Sequence, residues 1–325
     1  MSQARIIPII GGGPAGMSCA LWLKNYGLSP IIIERENALG GMARLSPYPN
    51  DGLLGRPGES AQQNAEAFAR HITQAGIETW LGARPRQLCR GSDGHFTLLV
   101  AGDSPPPAEF LSSAAIVIGV GTRFAGQEWL DSVENARSMA ARGFVHIGAP
   151  WAAEPGPEPG SHVAVIGGGD NAFDVARMLA EKKVRVTIVM RSERPRALPL
   201  MVHRLHSFER AGIAQVLAGR KVRALEDYDR RVRLRLDDGS KLDADHVVLL
   251  CGYLPNSDEA FFAALAPAQD KRGYLVVNGN AETSCPGVFA IGDIANPLHP
   301  SIASAIASGA IAAREIAKRI SDSLG

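Results

Sequence analysis

A chain of 325 residues, 46% of them hydrophobic, has enough apolar mass for more than one core, and its length suggests two domains. A formal net charge of +1 gives no global field toward nucleic acid or a membrane surface, and four cysteines without a C-x-x-C argue against a disulfide framework and against metal-type spacing. The apolar run Ile6 to Ile10 is too short for a signal peptide, and no stretch approaches the ~18 apolar residues of a membrane span, so a cytoplasmic setting without membrane attachment is expected.

In chain order, Ile6 to Ile10 reads as a buried strand that runs into a glycine cluster. Gly11, Gly13 and Gly16 fit G-x-G-x-x-G, with Pro14 and Ala15 opening a helix that extends to Tyr26. The first glycine allows a tight turn, the second leaves room for a pyrophosphate, and the third lets helix and sheet approach. The helix N-terminus then offers free N–H groups and partial positive charge to an anion. A second strand, Pro30 to Ile33, ends at Glu34, a carboxylate suited to accept hydrogen bonds from a ribose. Residues 84–100 read as an antiparallel ribbon turning at Gly91–Gly94, and Asp103 to Ala108 as a hairpin loop. Ala114 to Gly121 is a strand ending in glycine, and the Pro- and Gly-rich stretch Ala149 to Gly160 reads as an inert surface loop.

The pattern then repeats. Residues 163–172, V-A-V-I-G-G-G-D-N-A, form a second strand and glycine cluster, with Gly167, Gly169 and Ala172 in the three slots. Asp170 and Asn171 open the following helix, which reaches Lys182, and Val184 to Val189 is the next strand. The position equivalent to Glu34 is Arg191, with Arg194 and Arg196 close behind and Glu193 among them. An arginine here suits a 2′-phosphate, which points to NADPH at this second cradle. His203 and His206 lie on an expected helix over 201–211, where a surface or packing role outweighs zinc. His246 to Gly252 is another glycine-ended strand, Cys19, Cys251 and Cys285 read as packing residues, and Ser301 to Ile320 has helical spacing. The fold expected is α/β, two Rossmann-like dinucleotide domains with the second inserted in the first: residues 1 to 119 and 247 to 325, then 120 to 246.

These motifs resemble the low-molecular-weight thioredoxin reductases over nearly the whole chain. The match runs through I-G-G-G-P-A-G (10–16), L-G-G-M (39–42), G-R-P-G (55–58), the strand at 116–121, the second glycine cluster, V-M-R-S-E-R-P-R-A (189–197), G-Y-L-P-N (252–256) and P-G-V-F-A-I-G-D (286–293). The resemblance implies FAD in the first domain, NADPH in the second, and a homodimer. It implies that Asp293, after Gly292, bonds the FAD ribityl chain, that Gly40 and Gly41 lie near the flavin, and that Gly121 and Ile302 also belong to the FAD site. The chain departs from that family in three places. Counted from Gly143, the family's redox C-x-x-C falls on Ile147-Gly148-Ala149-Pro150; a second family arginine is Ser192; and the family's Arg-Gln after the G-D motif becomes Pro300-Ser301, preceded by His299.

Disulfide exchange needs a thiolate, so reduction of thioredoxin by the family route is not expected. The resemblance extends to the ferredoxin/flavodoxin–NADP reductases, which also lack the cysteines, and their activity is the leading expectation. A small redox protein such as ferredoxin or flavodoxin is then the partner; the exposed-type arginines Arg84, Arg86 and Arg90 read either as its docking site or as scattered surface charge. A small-molecule acceptor, quinone or disulfide, and a non-catalytic nucleotide sensor are the alternatives. His299, at the family's flavin edge, is the one candidate for proton donation, with a helix-start role equally open.

Overall fold

In the computed structural model the chain runs β1 (Ile6–Ile10), α1 (Pro14–Asn25), β2 (Ser29–Glu34), α2 (Ala61–Gln74), β3 (Glu78–Leu81), β4 (Ala83–Arg90), β5 (Phe96–Gly102), β6 (Ala108–Ser113), β7 (Ile116–Ile118) and β8 (Thr122–Phe124). It continues through α3 (Gln127–Ser132), α4 (Ala136–Ala141), β9 (Val145–Ile147), α5 (Pro150–Ala153), β10 (His162–Ile166), α6 (Asp170–Glu181), β11 (Arg185–Val189), α7 (Pro199–Arg210) and β12 (Ala214–Leu217). Then follow β13 (Val222–Tyr228), β14 (Arg231–Leu236), β15 (Lys241–Ala244), β16 (His246–Leu249), β17 (Tyr253–Pro255), β18 (Val288–Ala290) and α8 (Ile302–Asp322). The structure describes residues 6–102, 108–153, 156–296 and 298–322, so residues 103–107 of the expected hairpin loop lie outside it.

The chain divides into two compact units: Met1–Arg123 with Leu254–Gly325, and Phe124–Tyr253. The boundaries differ from the expected 119 and 246. Residues 247–252, expected in the first domain, include most of β16, which pairs in parallel with β10 and β9 in the second unit's sheet.

In the first unit a parallel sheet has the order β18-β7-β1-β2-β3. Its strands are apolar on both faces because both faces are covered. Ile7, Ile9, Ile32, Val117 and Phe289 join a cluster with α1 and α8; Ile10, Ile31, Ile33, Ile116 and Ile118 join another with Leu88, Phe96, Leu98 and Val100 of the antiparallel sheet β4-β5-β6. Pro8 is tolerated in a central strand because pairing with β7 begins only at Ile9. α2 starts on a capping box between Ser60 and Gln63.

The second unit repeats the plan with order β12-β11-β10-β16-β9 and an antiparallel sheet β13-β14-β15. Ala164, Ile166, Val247 and Leu249 pack against Leu225, Val232 and Leu234. The stretch read as an inert loop at 149–160 instead carries α5: Ala149 and Ala152 are buried, and Trp151 stacks on His146 with ring centroids 3.8 Å apart. Burial of two small side chains and one aromatic stack holds this segment down. No helix of the described residues is long and apolar enough to cross a membrane.

Gly309 sets how closely α8 approaches α1. A Cβ there would overlap the Ala15 carbonyl oxygen and come within 2.8 Å of the Cys19 nitrogen. In an open helix Gly→Ala gains about 1 kcal/mol in propensity, but backbone cannot yield as a side chain does, so overpacking of about 1–3 kcal/mol wins. Gly309→Ala is expected to lower the urea midpoint at unchanged slope; a raised midpoint would show that the two helices do not meet there.

Candidate functional site

β1 ends at Gly11, which has φ +111°, a conformation L side chains rarely adopt. A Cβ on Gly11 would overlap the Gly119 carbonyl, and one on Gly16 would overlap the Gly11 carbonyl. Both glycines are therefore needed for strand, turn and helix to close on one another. Gly13 differs: a Cβ there meets nothing within 4 Å. Gly13 is the N-cap of α1, Pro14 is its first residue, and no side chain caps the helix, so its first-turn N–H groups are left for an external acceptor. The turn at Gly40 and Gly41 folds over the same place. The Gly40 N–H donates to the Gly12 carbonyl at 2.8 Å, and a Cβ on Gly41 would sit 3.1 Å from the Gly13 Cα.

Glu34 is buried at the end of β2. Its Oε2 accepts the Gly12 N–H at 2.7 Å and its Oε1 accepts the Glu36 N–H at 2.9 Å. The carboxylate expected to serve a ribose thus first braces the turn, and each oxygen retains acceptor capacity.

Gly292, at φ +70°, brings the second motif of this unit against the cradle: a Cβ there would lie 2.9 Å from the Ala15 Cβ, and its N–H donates to Ser308 Oγ at 2.9 Å. Asp293 follows. Its Oδ1 is buried with no hydrogen-bond partner among the described residues, and burial pushes its pKa up to about 6. A buried carboxylate oxygen without a donor is costly, and it marks where a hydroxyl would bind. The ribityl hydroxyls of FAD are such donors, its pyrophosphate suits the uncapped α1, and the residues present fit that group.

The other residues expected in this unit have mainly backbone roles. Gly121, φ +61°, accepts the N–H of buried Asn256 at 3.1 Å, while Asn256 Nδ2 donates to the Val120 carbonyl at 2.8 Å. Ile302 is the first residue of α8. His299 has an exposed ring; its carbonyl accepts from Asn296 Nδ2 and Ser304 Oγ, each at 2.9 Å, ahead of α8.

The second cradle is built alike. A Cβ on Gly167 would overlap the Leu250 carbonyl, a Cβ on Gly169 meets nothing within 4 Å, and Gly169 is the uncapped N-cap of α6. Ala172 fills the third slot, fully buried. Asp170, expected at the nucleotide, accepts the Leu198 N–H at 2.7 Å, and the Arg196 N–H donates to the Gly168 carbonyl at 2.7 Å. These two bonds tie the loop after β11 to the cradle. Arg191, Arg194 and Arg196 are exposed and form no ion pair among the described residues; the Glu193 carboxylate lies against Gly219 instead. Asn171 Nδ2 donates to the Tyr253 hydroxyl at 2.7 Å, a partner that no sequence pattern indicated.

At 147–150 the chain packs. Gly148, φ +87°, lies under the Phe124 ring, where a Cβ would be 2.5 Å from Cδ2. On the other side His146 Nε2 lies 3.3 Å from His246 Nδ1, and burial, with the neighbouring His246, lowers the His146 pKa to about 4. Cys19 is buried, and burial holds its thiol far above the ordinary range. Cys251, read as a packing residue, is exposed because it lies just beyond the end of β16. His203 and His206 are exposed on α7.

The model of the pyridine nucleotide-disulphide oxidoreductase family matches residues 6–312. Ferredoxin–NADP reductase of Limosilactobacillus fermentum is 28% identical over 90% of this chain and 86% of its own length, and that of Ignicoccus hospitalis is 28% identical over 94% of each. Among solved structures, Lactococcus lactis thioredoxin reductase superposes with a TM-score of 0.83 at 21% identity, covering 98% of this chain and 99% of that one. Two glycine-edged nucleotide cradles on one such fold, matched from β1 into α8, mean that this chain is an oxidoreductase and belongs to the pyridine nucleotide-disulphide oxidoreductase family.

Proposed function

We propose that this oxidoreductase takes electrons from NADPH, with FAD as intermediary, and delivers them directly to a small redox protein of the ferredoxin or flavodoxin kind. The observation that carries this is the packed, thiol-free segment Ile147-Gly148-Ala149-Pro150, where the resembling thioredoxin reductases hold a dithiol. The four cysteines include no C-x-x-C pair, so no relay thiol pair is at hand. The ferredoxin–NADP reductase names of the relatives support the same reading. A homodimer in the cytoplasm is the assembly and setting it carries with it.

When bound, FAD supplies an acceptor for hydride and a donor of single electrons. The chain's own residues do the holding. Gly11, Gly13, Pro14, Ala15 and Gly16 present α1 to the FAD pyrophosphate; Glu34 takes the ribose; Asp293 takes a ribityl hydroxyl; Gly40, Gly41, Gly121, Gly292 and Ile302 shape the site around them. Gly167, Gly169, Asp170, Asn171 and Ala172 form the NADPH cradle, with Arg191 and Arg196 on the 2′-phosphate. His299, exposed ahead of α8, is the candidate for proton delivery. Arg84 and Arg86, exposed on the edge strand β4 and without ion pairs among the described residues, suit an acidic carrier.

With NADPH in excess, the purified protein should reduce ferredoxin or flavodoxin and should leave thioredoxin disulfide untouched; thioredoxin reduction without an added thiol would defeat the reading. Arg191→Ala should weaken NADPH binding about tenfold or more and leave NADH binding within about twofold, by loss of a charge-assisted hydrogen bond. Asp293→Asn should act in opposite directions on the two forms. The raised pKa means that folded protein without FAD binds a proton more tightly than unfolded chain, so its stability falls as pH rises from about 4 to about 6, by on the order of 2–3 kcal/mol. The asparagine variant without FAD should lack that fall in a pH series of melts while binding FAD more weakly; parallel pH profiles would remove Asp293 from the site.

A further inference from the structure

The position of the second cradle within its sheet constrains where each half of a dinucleotide can go. Gly167 follows β10, which sits between β11 and β16 in the order β12-β11-β10-β16-β9. A pyrophosphate on α6 therefore lies at the end of β10. Arg191, Arg194 and Arg196 follow β11, so the adenosine half, with its 2′-phosphate, leaves on the β11 side. The other half must leave on the β16 side, as expected where a nucleotide straddles the ends of parallel strands. β16 continues there as Leu250-Cys251-Gly252-Tyr253.

Tyr253 is suited to meet a planar ring. Its side chain is partly exposed, and its ring lies 5.2 Å from that of Phe124, tilted by 31°. Phe124 in turn rests on Gly148, where a Cβ would lie 2.5–2.8 Å from three ring atoms. The Gly252 carbonyl accepts the Ala125 N–H at 2.9 Å, which fixes the backbone on which both aromatics stand. The Tyr253 hydroxyl accepts from Asn171 Nδ2 at 2.7 Å, and Asn171 is the second residue of α6. The ring is thus supported from below by an aromatic on a glycine, and its hydroxyl end is tied to the helix that faces the pyrophosphate.

We propose that Tyr253 positions the nicotinamide half of the dinucleotide, its ring forming a platform seated on Phe124 and Gly148 and oriented by Asn171. This deepens the NADPH reading and rests on it. A platform of this kind contributes stacking and excludes water on one face of the nicotinamide nucleotide; the adenosine half, anchored by the arginines, gains nothing from it.

That asymmetry gives the test. Equilibrium binding of NADP+ and of 2′,5′-ADP, which lacks the nicotinamide half, is measured by calorimetry on the FAD-loaded full chain and on Tyr253→Ala and Tyr253→Phe. The alanine variant should lose about tenfold in NADP+ affinity, with 2′,5′-ADP within about twofold of wild type. The phenylalanine variant, which keeps the ring, should recover NADP+ affinity to within about threefold. Equal losses for both ligands would mean general damage to the pocket and would overturn the assignment, as would unchanged NADP+ affinity in the alanine variant. If wild-type protein binds neither ligand, the NADPH reading itself fails, an outcome separate from either of these.

Discussion

A helix end can hold an anion only if nothing of the protein stands between its free N–H groups and the charge. Both units meet that requirement in one way. Gly13 and Gly169 stand at uncapped helix N-termini, and a side chain at either would point into open space. The glycines at the strand ends do the opposite task, since Gly11 and Gly167 are pressed against the carbonyls of Gly119 and Leu250 on neighbouring segments. The third slot is where the copies diverge. Gly16 is held against the Gly11 carbonyl, whereas the second unit leaves room for Ala172. Parallel strand order and double-sided burial follow from the need to bring strand end, turn and helix N-terminus to one point.

On this frame the two units differ in charge just where the second strand ends. The second strand ends on the carboxylate Glu34 in one unit, and the arginine Arg191 stands two residues past its end in the other. Glu34 is buried, which would be costly for a bare carboxylate, and the N–H groups of Gly12 and Glu36 offset that cost. Arg191 is exposed and pairs with no acid among the described residues, which leaves its charge suited to a phosphate. Asp293 is the counter-case, a buried oxygen with no donor among the described residues.

Most of this was legible in the sequence because it depends on local rules. Continuous apolar runs predict strands covered on both faces, and β1, β2, β10 and β11 are so buried; glycine spacing locates the turns; the Glu34/Arg191 contrast is visible from register alone. What was not legible depended on contacts distant in sequence. The strand at 246–249 could not be assigned to its sheet from periodicity, because its partners β10 and β9 are far along the chain. The proline and glycine content of 149–160 reads as a loop, but Trp151 finds His146 and two alanines find the core. Asp170 reads as a ligand residue from its place in the motif, while its carboxylate holds the Leu198 N–H. Tyr253 lies in G-Y-L-P-N, a motif that assigns it no role, and the hydrogen bond from Asn171 singles it out.

The segment from Ile147 to Pro150 carries no thiol and is closely packed. A dithiol needs solvent access and a depressed thiol pKa, both of which oppose tight packing. Without that demand, the residues from His146 to Trp151 are free to be buried. Gly148 lets Phe124 close down upon it, Ala149 is buried, and His146 is desolvated far enough to stack on Trp151 as a neutral ring at pH 7. The same packing supports Tyr253 through Phe124, so this segment helps to shape the ground beside the second cradle. The aromatic seat depends on the glycine at 148, because any side chain there would put its Cβ into the Phe124 ring and remove the support on which Tyr253 stands.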